Sequence, residues 1–112
     1  MGIFGIIEKP HGRISISGRF DFIVHREFKK QYMRMLTDVQ IREIEVNLQC
    51  VDYMDSAALG MLMLLNERAH AVNKSVVLCY PSVTVARLLD VANFARMFSI
   101  KGIGADESTF VN

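Results

Sequence analysis

The sequence predicts a two-layer α/β domain, a mixed sheet of about five strands with helices on one face, in the order ββαβαβαβ. Three observations lead there. The chain has 112 residues, 51% of them hydrophobic and 22% charged, with two prolines, which suits one packed core and leaves no room for a second domain. Segment 43–50 alternates Ile44, Val46, Leu48 and Cys50 with Glu43, Glu45, Asn47 and Gln49, so one face of that strand is wet. A parallel sheet covered on both faces would show a continuous apolar run there instead. Finally, strand–helix–strand units cross over right-handedly, which gathers their helices on the face opposite the wet one.

The first strand is expected over 3–8, followed by a turn at Pro10-His11-Gly12. Segment 13–18 alternates Ile14 and Ile16 with Ser15 and Ser17, which makes the pair a hairpin. From Val24 the period changes: Val24, Phe28, Tyr32 and Met35/Leu36 fall at three- and four-residue spacing with Arg26, Lys29, Lys30 and Arg34 between them, an amphipathic helix. The alternating strand 43–50 comes next, then a connection at 51–55 and a second helix over about 56–72, ended by Asn73-Lys74. Segment 75–80 is more uniformly apolar and is expected nearer the middle of the sheet. Pro81-Ser82 leads into a third helix whose core stripe is Val85, Leu88, Leu89 and Ala92, with Arg87 and Asp90 facing water. A last strand is expected around 97–100, with residues 105–112 a tail that frays. The chain has no internal repeat.

Several functional classes fit poorly. Thirteen Lys plus Arg against twelve Asp plus Glu give a formal charge of +1, and the cations form no run, so nucleic acid is not the expected ligand. Cys50 and Cys79 belong to no metal-binding spacing and are expected as buried, reduced thiols of a cytoplasmic protein. MGIFGIIEKP lacks a basic n-region and turns polar too early for a signal peptide. The apolar stretch 57–65 is far shorter than the roughly 20 residues needed to cross a membrane, so no membrane insertion is expected. His11, His25 and His70, in a turn, at a helix start and near a helix end, make no metal-binding pair. There is no G-x-S-x-G elbow, Gly-rich phosphate loop or H-E-x-x-H, so neither catalysis nor a cofactor or metal is expected.

One junction is distinctive. The connection 51–55 delivers Asp55-Ser56 to the start of a helix that opens Ala57-Ala58-Leu59-Gly60. The conservative interpretation is a helix cap, with Asp55 or Ser56 accepting a hydrogen bond from an orphan N–H. No capping box supports it, because Ala58 and Leu59 occupy the two candidate N3 positions. The functional interpretation makes Ser56 an exposed hydroxyl at the positive end of a helix, where a phosphoryl group is stabilised by free N–H groups and the macrodipole. Phosphorylation there would add roughly −1.5 to −2 charges beside Asp55. The first two turns of the helix are apolar nearly all round. Either another element covers the surplus, or Met61 and Leu64 form an adaptable binding surface beside Ser56.

Met54-Asp55-Ser56-Ala57-Ala58-Leu59-Gly60 resembles the M-D-S-S-G-L-G signature of bacterial anti-sigma factor antagonists, the STAS-domain family. Gly18-Arg19-Phe20-Asp21 is similar to that family's G-E-L-D, and Leu88-Leu89-Asp90-Val91 with Phe94 to its L-F-D-M-S-G-L-F stretch, so the likeness spans most of the chain. The resemblance implies a single STAS-like domain, with Ser56 phosphorylated by a serine kinase that can itself be the anti-sigma factor and restored by a phosphatase. The unmodified protein would bind its anti-sigma partner and the phosphorylated one would not, which is partner switching. It further implies a partner surface of Phe20, Asp21, Asp55, Ser56, Ala57, Ala58, Gly60, Met61 and Leu64, with no enzymatic activity.

Two departures stand out. Ala57 and Ala58 replace the motif's second Ser and its Gly, which is benign for a helix start but narrows a partner's approach to the backbone. Arg19 replaces an acidic residue at the rim of the interface, which bears on which partner docks. Other interpretations are a STAS subunit of a lipid or anion transport assembly with an unphosphorylated docking helix, and a small hydrolase using Ser56, for which no general base is evident. Exposed Met61 and Leu64 would also suit a homodimer.

Overall fold

The computed structural model describes residues 2–102, so the tail expected at 105–112 lies outside the described residues. Strands β1 (Gly2–Glu8), β2 (His11–Phe20), β3 (Glu43–Met54), β4 (Ser75–Cys79) and β5 (Ser99–Lys101) form one sheet in spatial order β1-β2-β3-β4-β5. β1 runs antiparallel to β2, and the other neighbours are parallel. Helices α1 (His25–Leu36), α2 (Ser56–Ala71) and α3 (Val83–Val91) fill the three crossovers, which is the predicted two-layer arrangement.

One face of the sheet is covered. Ile14 and Ile16 of β2, Ile44, Val46 and Leu48 of β3 and Leu78 of β4 are buried against Phe28, Tyr32 and Met35 of α1, Leu62, Leu65 and Ala69 of α2, and Val85 and Leu89 of α3. Helix α1 sits close enough that a Cβ on Gly12 would lie 2.7 Å from Met35 Sδ, and one on Gly5 would strike Gln31. At Gly12 the crowding is against buried Met35, so space favours glycine there, whereas at Gly5 it is against the tips of Gln31 and Arg34, which can swing aside. Rings continue the core from the end of β2, with Phe20 and Phe28 at 5.2 Å and Phe28 and Tyr32 at 5.4 Å between centroids.

The other face carries charge. His11 Nδ1 lies 3.2 Å from Glu43 Oε1 and 3.6 Å from Glu45 Oε2, while Arg13 Nε is 3.0 Å from Glu45 Oε1. The Glu45 carboxylate, bound to the Arg13 guanidinium, holds the latter's pKa above its ordinary value. Cys79, on the same face of β4, is buried, and burial pushes its thiol pKa up to about 11.

The described structure corrects several expected boundaries. His11 and Gly12 belong to β2, so the turn shrinks to Lys9-Pro10 and His11 is a strand residue. The segment 51–54 is strand as well, because β3 continues to Met54. Its register against β2 slips twice, between Ser15 and Ser17 and between Gly18 and Arg19, and each bulge advances the phase by one residue. After Leu48 the buried positions are Val51 and Met54, a three-residue spacing that erases alternation and turns Cys50 outward to solvent. Cys50 is thus not the buried thiol expected. Strand β4 lies between β3 and β5, so β3 is the middle strand. On α3 the buried stripe narrows to Val85 and Leu89, with Leu88 and Ala92 half-buried. The last strand starts at Ser99, after a 3-10 turn at Phe94–Arg96 and the buried anchor Phe98.

Candidate functional site

Strands β2 and β3 end side by side, with Phe20 and Met54 as register partners and both buried. Each is followed by an aspartate in extended backbone that caps the next element. Asp21 (φ −142°, ψ −173°) accepts the Ile23 N–H at Oδ1, 3.0 Å away, and starts a 3-10 turn at Phe22–Val24. Asp55 (φ −120°, ψ −176°) accepts the Ala58 N–H at Oδ1, also 3.0 Å away, and starts α2. Ser82 does the same for α3, its Oγ accepting the Val85 N–H at 3.2 Å. The elements that directly follow β2, β3 and β4 thus each begin at a short polar side chain.

Of the two candidate caps at the α2 start, Asp55 is the one used. Ser56 occupies the first helical position with its side chain exposed and plays no part in the cap. Asp55, the carboxylate next to it in sequence, is engaged at the Ala58 N–H. The N–H groups of Ser56 and Ala57 fall in the first turn, where no intrahelical acceptor exists. The result is an exposed alcohol on a donor-rich, electropositive helix end.

Apolar side chains are exposed along α2 and at the strand ends. On α2, Met63 is 47% and Leu64 39% exposed, while Leu59 and Met61 are half-buried against the core. A groove of about 360 Å³ lined by Leu59, Thr84, Arg87, Leu88, Val91 and Ala92 runs between α2 and α3. Across the strand ends, Phe22 is 64% and Ile23 80% exposed, the Phe22 ring stacked on His25 at 4.2 Å. Arg19 lies over the Tyr53 ring, its Cζ 4.1 Å from the centroid, with its Nε 3.3 Å from Asp21 Oδ2.

The expected partner surface is therefore only partly at the surface. Ser56, Gly60 and Leu64 are exposed, and Asp55, Ala57 and Met61 are half-buried. Phe20 and Ala58 are fully buried and Asp21 nearly so, which means these three shape the site from beneath. Their places at the surface are taken by Phe22, Ile23, Tyr53 and Met63, which the sequence reasoning passed over. Phe22 and Ile23 could have been noticed as apolar residues that fall outside the α1 stripe. Tyr53 was hidden by the bulges in β3. The structure also gathers His11, Glu43 and Glu45, with one ligand atom of each within 4.8 Å of the others, although Glu45 is already shared with Arg13.

Comparison with known proteins agrees with this arrangement. The family model described as "Mlab, STAS domain" matches residues 7–100. A STAS-domain containing protein of Pseudomonas aeruginosa (strain UCBPP-PA14) is 39% identical over 87 residues, covering 78% of this chain and 84% of that protein. Among solved structures, a Thermotoga maritima protein assigned as an anti-sigma factor antagonist superposes with a TM-score of 0.78 at 20% identity, over 88% of this chain and 85% of that one. The Bacillus cell fate determinant SpoIIAA in its phosphorylated form superposes with a TM-score of 0.71 at 15% identity, over 98% and 96% of the two chains. These two structures share the fold, and the family match extends from the end of β1 to β5 across both capped strand ends: the chain belongs to the STAS domain family.

Proposed function

We propose that this protein is an anti-sigma factor antagonist that works by partner switching and is not an enzyme. Unmodified, it binds an anti-sigma factor or related serine-kinase regulator through the Ser56 end of α2 and the turn after β2; phosphorylated on Ser56, it releases that partner, and a phosphatase reverses the change. The observation that carries this reading is the division of labour at the α2 start. Asp55 caps the helix, so the Ser56 hydroxyl can be esterified without loss of the cap. A dianion there would be stabilised by the helix end in the free protein, and in a complex would meet an apolar surface that has to be desolvated. One desolvated, unpaired charge commonly costs several kcal/mol, and each 1.4 kcal/mol is tenfold in affinity. The reading is supported by the fold shared with SpoIIAA, a protein with solved structures in unphosphorylated and phosphorylated forms.

The site acts in the cytoplasm on this reading, and no helix among the described residues is long and apolar enough to cross a membrane. The exposed Met63 and Leu64 would serve the partner, or a second copy of the chain when no partner is bound.

The test is calorimetry against the partner recovered with the protein from its own cells, together with intact-mass and fragment analysis of the native protein. Ser56→Ala is expected to bind constitutively, and Ser56→Glu to bind at least tenfold more weakly with an unchanged melting temperature. Native protein that never carries phosphate, and a Ser56→Glu variant that binds like wild type, would overturn the reading. Stable association with membrane transport subunits whatever stands at position 56 would replace it with a permanent docking role.

A further inference from the structure

Arg19 is where the chain departs from G-E-L-D, and its cation has a defined place. Gly18 adopts φ 82°, a left-handed conformation that glycine takes freely, at the second register slip of β2 against β3. That slip sets Arg19 opposite Tyr53. The guanidinium then covers the Tyr53 ring at 4.1 Å and reaches Asp21 Oδ2 at 3.3 Å, so it leans toward the strand ends, where Asp21 and Asp55 follow the paired residues Phe20 and Met54. With both contacts made, the side chain remains 56% exposed.

Ser56 lies three residues beyond Tyr53 through extended backbone at Asp55. At about 3.3 Å per residue it stands about 10 Å further along than Tyr53, with β2 about 4.8 Å to the side. Arg19 and Tyr53 project from the face opposite Phe20, Met54 and the helices, so the guanidinium reaches Ser56 by passing over the strand ends, in the direction its contact with Asp21 already takes.

We infer that Arg19 is the intramolecular counter-cation of Ser56 once that residue is phosphorylated. This rests on the phosphorylation reading given above and adds a positioning residue to it. Asp21 offers Arg19 one carboxylate oxygen, since the other is committed to the Ile23 N–H. A phosphate dianion offers three strong acceptors and a second negative charge, and the guanidinium fork matches it in geometry. The charge therefore passes from Asp21 to the phosphate, with the Ser56 and Ala57 N–H groups as the remaining donors. As Arg19 moves it uncovers the Tyr53 ring, so modification of one side chain alters the rim on both strand ends. The carboxylates on the adjoining ends are Asp21, Asp52 and Asp55, with the His25 ring beyond them, and on the helix side Arg87 of α3 lines the groove beside Leu59; the three carboxylates oppose the dianion, and Arg19 is the cation on the strand-end side that offsets them.

The test uses the full chain with phosphoserine installed synthetically at position 56, so it reads Arg19 whether or not cells modify the residue. Phosphorus NMR titration follows the second ionisation of the phosphate in the Arg19 protein, Arg19→Lys and Arg19→Ala. The expected result is a phosphate pKa higher by about half a unit or more in Arg19→Ala, partial rescue in Arg19→Lys, and a difference that shrinks as salt is raised. The Arg19 Nε–H resonance should also shift on phosphorylation in the wild-type chain. Superimposable titration curves for Arg19 and Arg19→Ala, in samples with native circular dichroism, would overturn the inference. Arg19→Gln serves as the neutral variant should Arg19→Ala fail to fold. Absence of phosphate from the native protein would instead count against the phosphorylation reading and leave the titration result standing.

Discussion

The two ends of the parallel strands are built on opposite principles. At the end where the strands begin, connections are tied by charge and by backbone. Lys74 is buried and donates from Nζ to the carbonyls of Asp38 (2.9 Å) and Ile41 (2.6 Å), clamping the α1–β3 connection to the start of β4. Arg42 and Glu43 donate their N–H groups to the Pro10 carbonyl, and Ser75 donates to Arg42. Lys9 meets Asp38 and Gln40. At the end where the strands finish, polar groups serve mainly as caps, and the same end exposes the apolar Phe22, Ile23 and Tyr53 together with the Ser56 hydroxyl. Buried hydrogen bonds to a charged group each contribute more than neutral ones, so one end supplies stability. The other leaves apolar area and N–H donors available, which is what a reversible docking surface requires.

If this division holds, substitutions at the two ends should separate stability from binding. The largest effect is expected from Lys74→Met, which keeps the aliphatic stem and removes the ammonium that two carbonyls accept from. It should lower the unfolding free energy by about 2 kcal/mol in urea denaturation, while partner affinity of the folded protein stays unchanged. Asp55→Ala at the opposite end should cost about 1 kcal/mol through loss of the α2 cap, and should weaken partner binding as well because Ser56 loses its anchored position. Gly60→Ala should move stability the other way: a Cβ there has open space and the position is helical, so melting temperature should rise with a gain of about 0.5–1 kcal/mol. A partner that approaches α2 closely would bind that variant less well, which a competition titration would read.

The smallest effect concerns the thiols. Cys79 is buried and its pKa is raised from 9.0 to about 11, whereas Cys50 is exposed. Because the folded chain favours the protonated Cys79 thiol, the associated stability is complete below about pH 9 and declines as pH rises toward 11, where the unfolded chain ionises first. Alkaline melts of Cys79→Val should lack that part of the decline, and thiol labelling at neutral pH should modify Cys50 well before Cys79.

The hairpin, the amphipathic α1 and the limits of α2 were legible in the residues because each rests on local periodicity or on a terminator such as Asn73, which takes a left-handed φ of 60° at the end of α2. The extent of β3 was not. Two bulges shift its phase, and a bulge is set by the neighbouring strand's register, which a single segment does not display. The same slips hid Tyr53 and misplaced Cys50. For the site, Asp55-Ser56 at a helix start could be read directly, but the choice of Asp55 as the cap needed the backbone. Phe20 and Ala58 belong to the signature and lie beneath the surface, because motif residues record packing as well as contact.

By itself, then, the order of apolar and polar residues determined the layering, the single wet face of the sheet and the hydroxyl at the start of α2. These follow from side-chain periods of 2 and 3.6 and from the chemistry of helix ends, all of which act within a few residues. Only the tertiary structure decided what stands at the neighbouring strand end. Arg19 and Asp21 come from a segment more than thirty residues before Tyr53 and Ser56, and the register between β2 and β3, with its two slips, is what sets the two strand ends side by side.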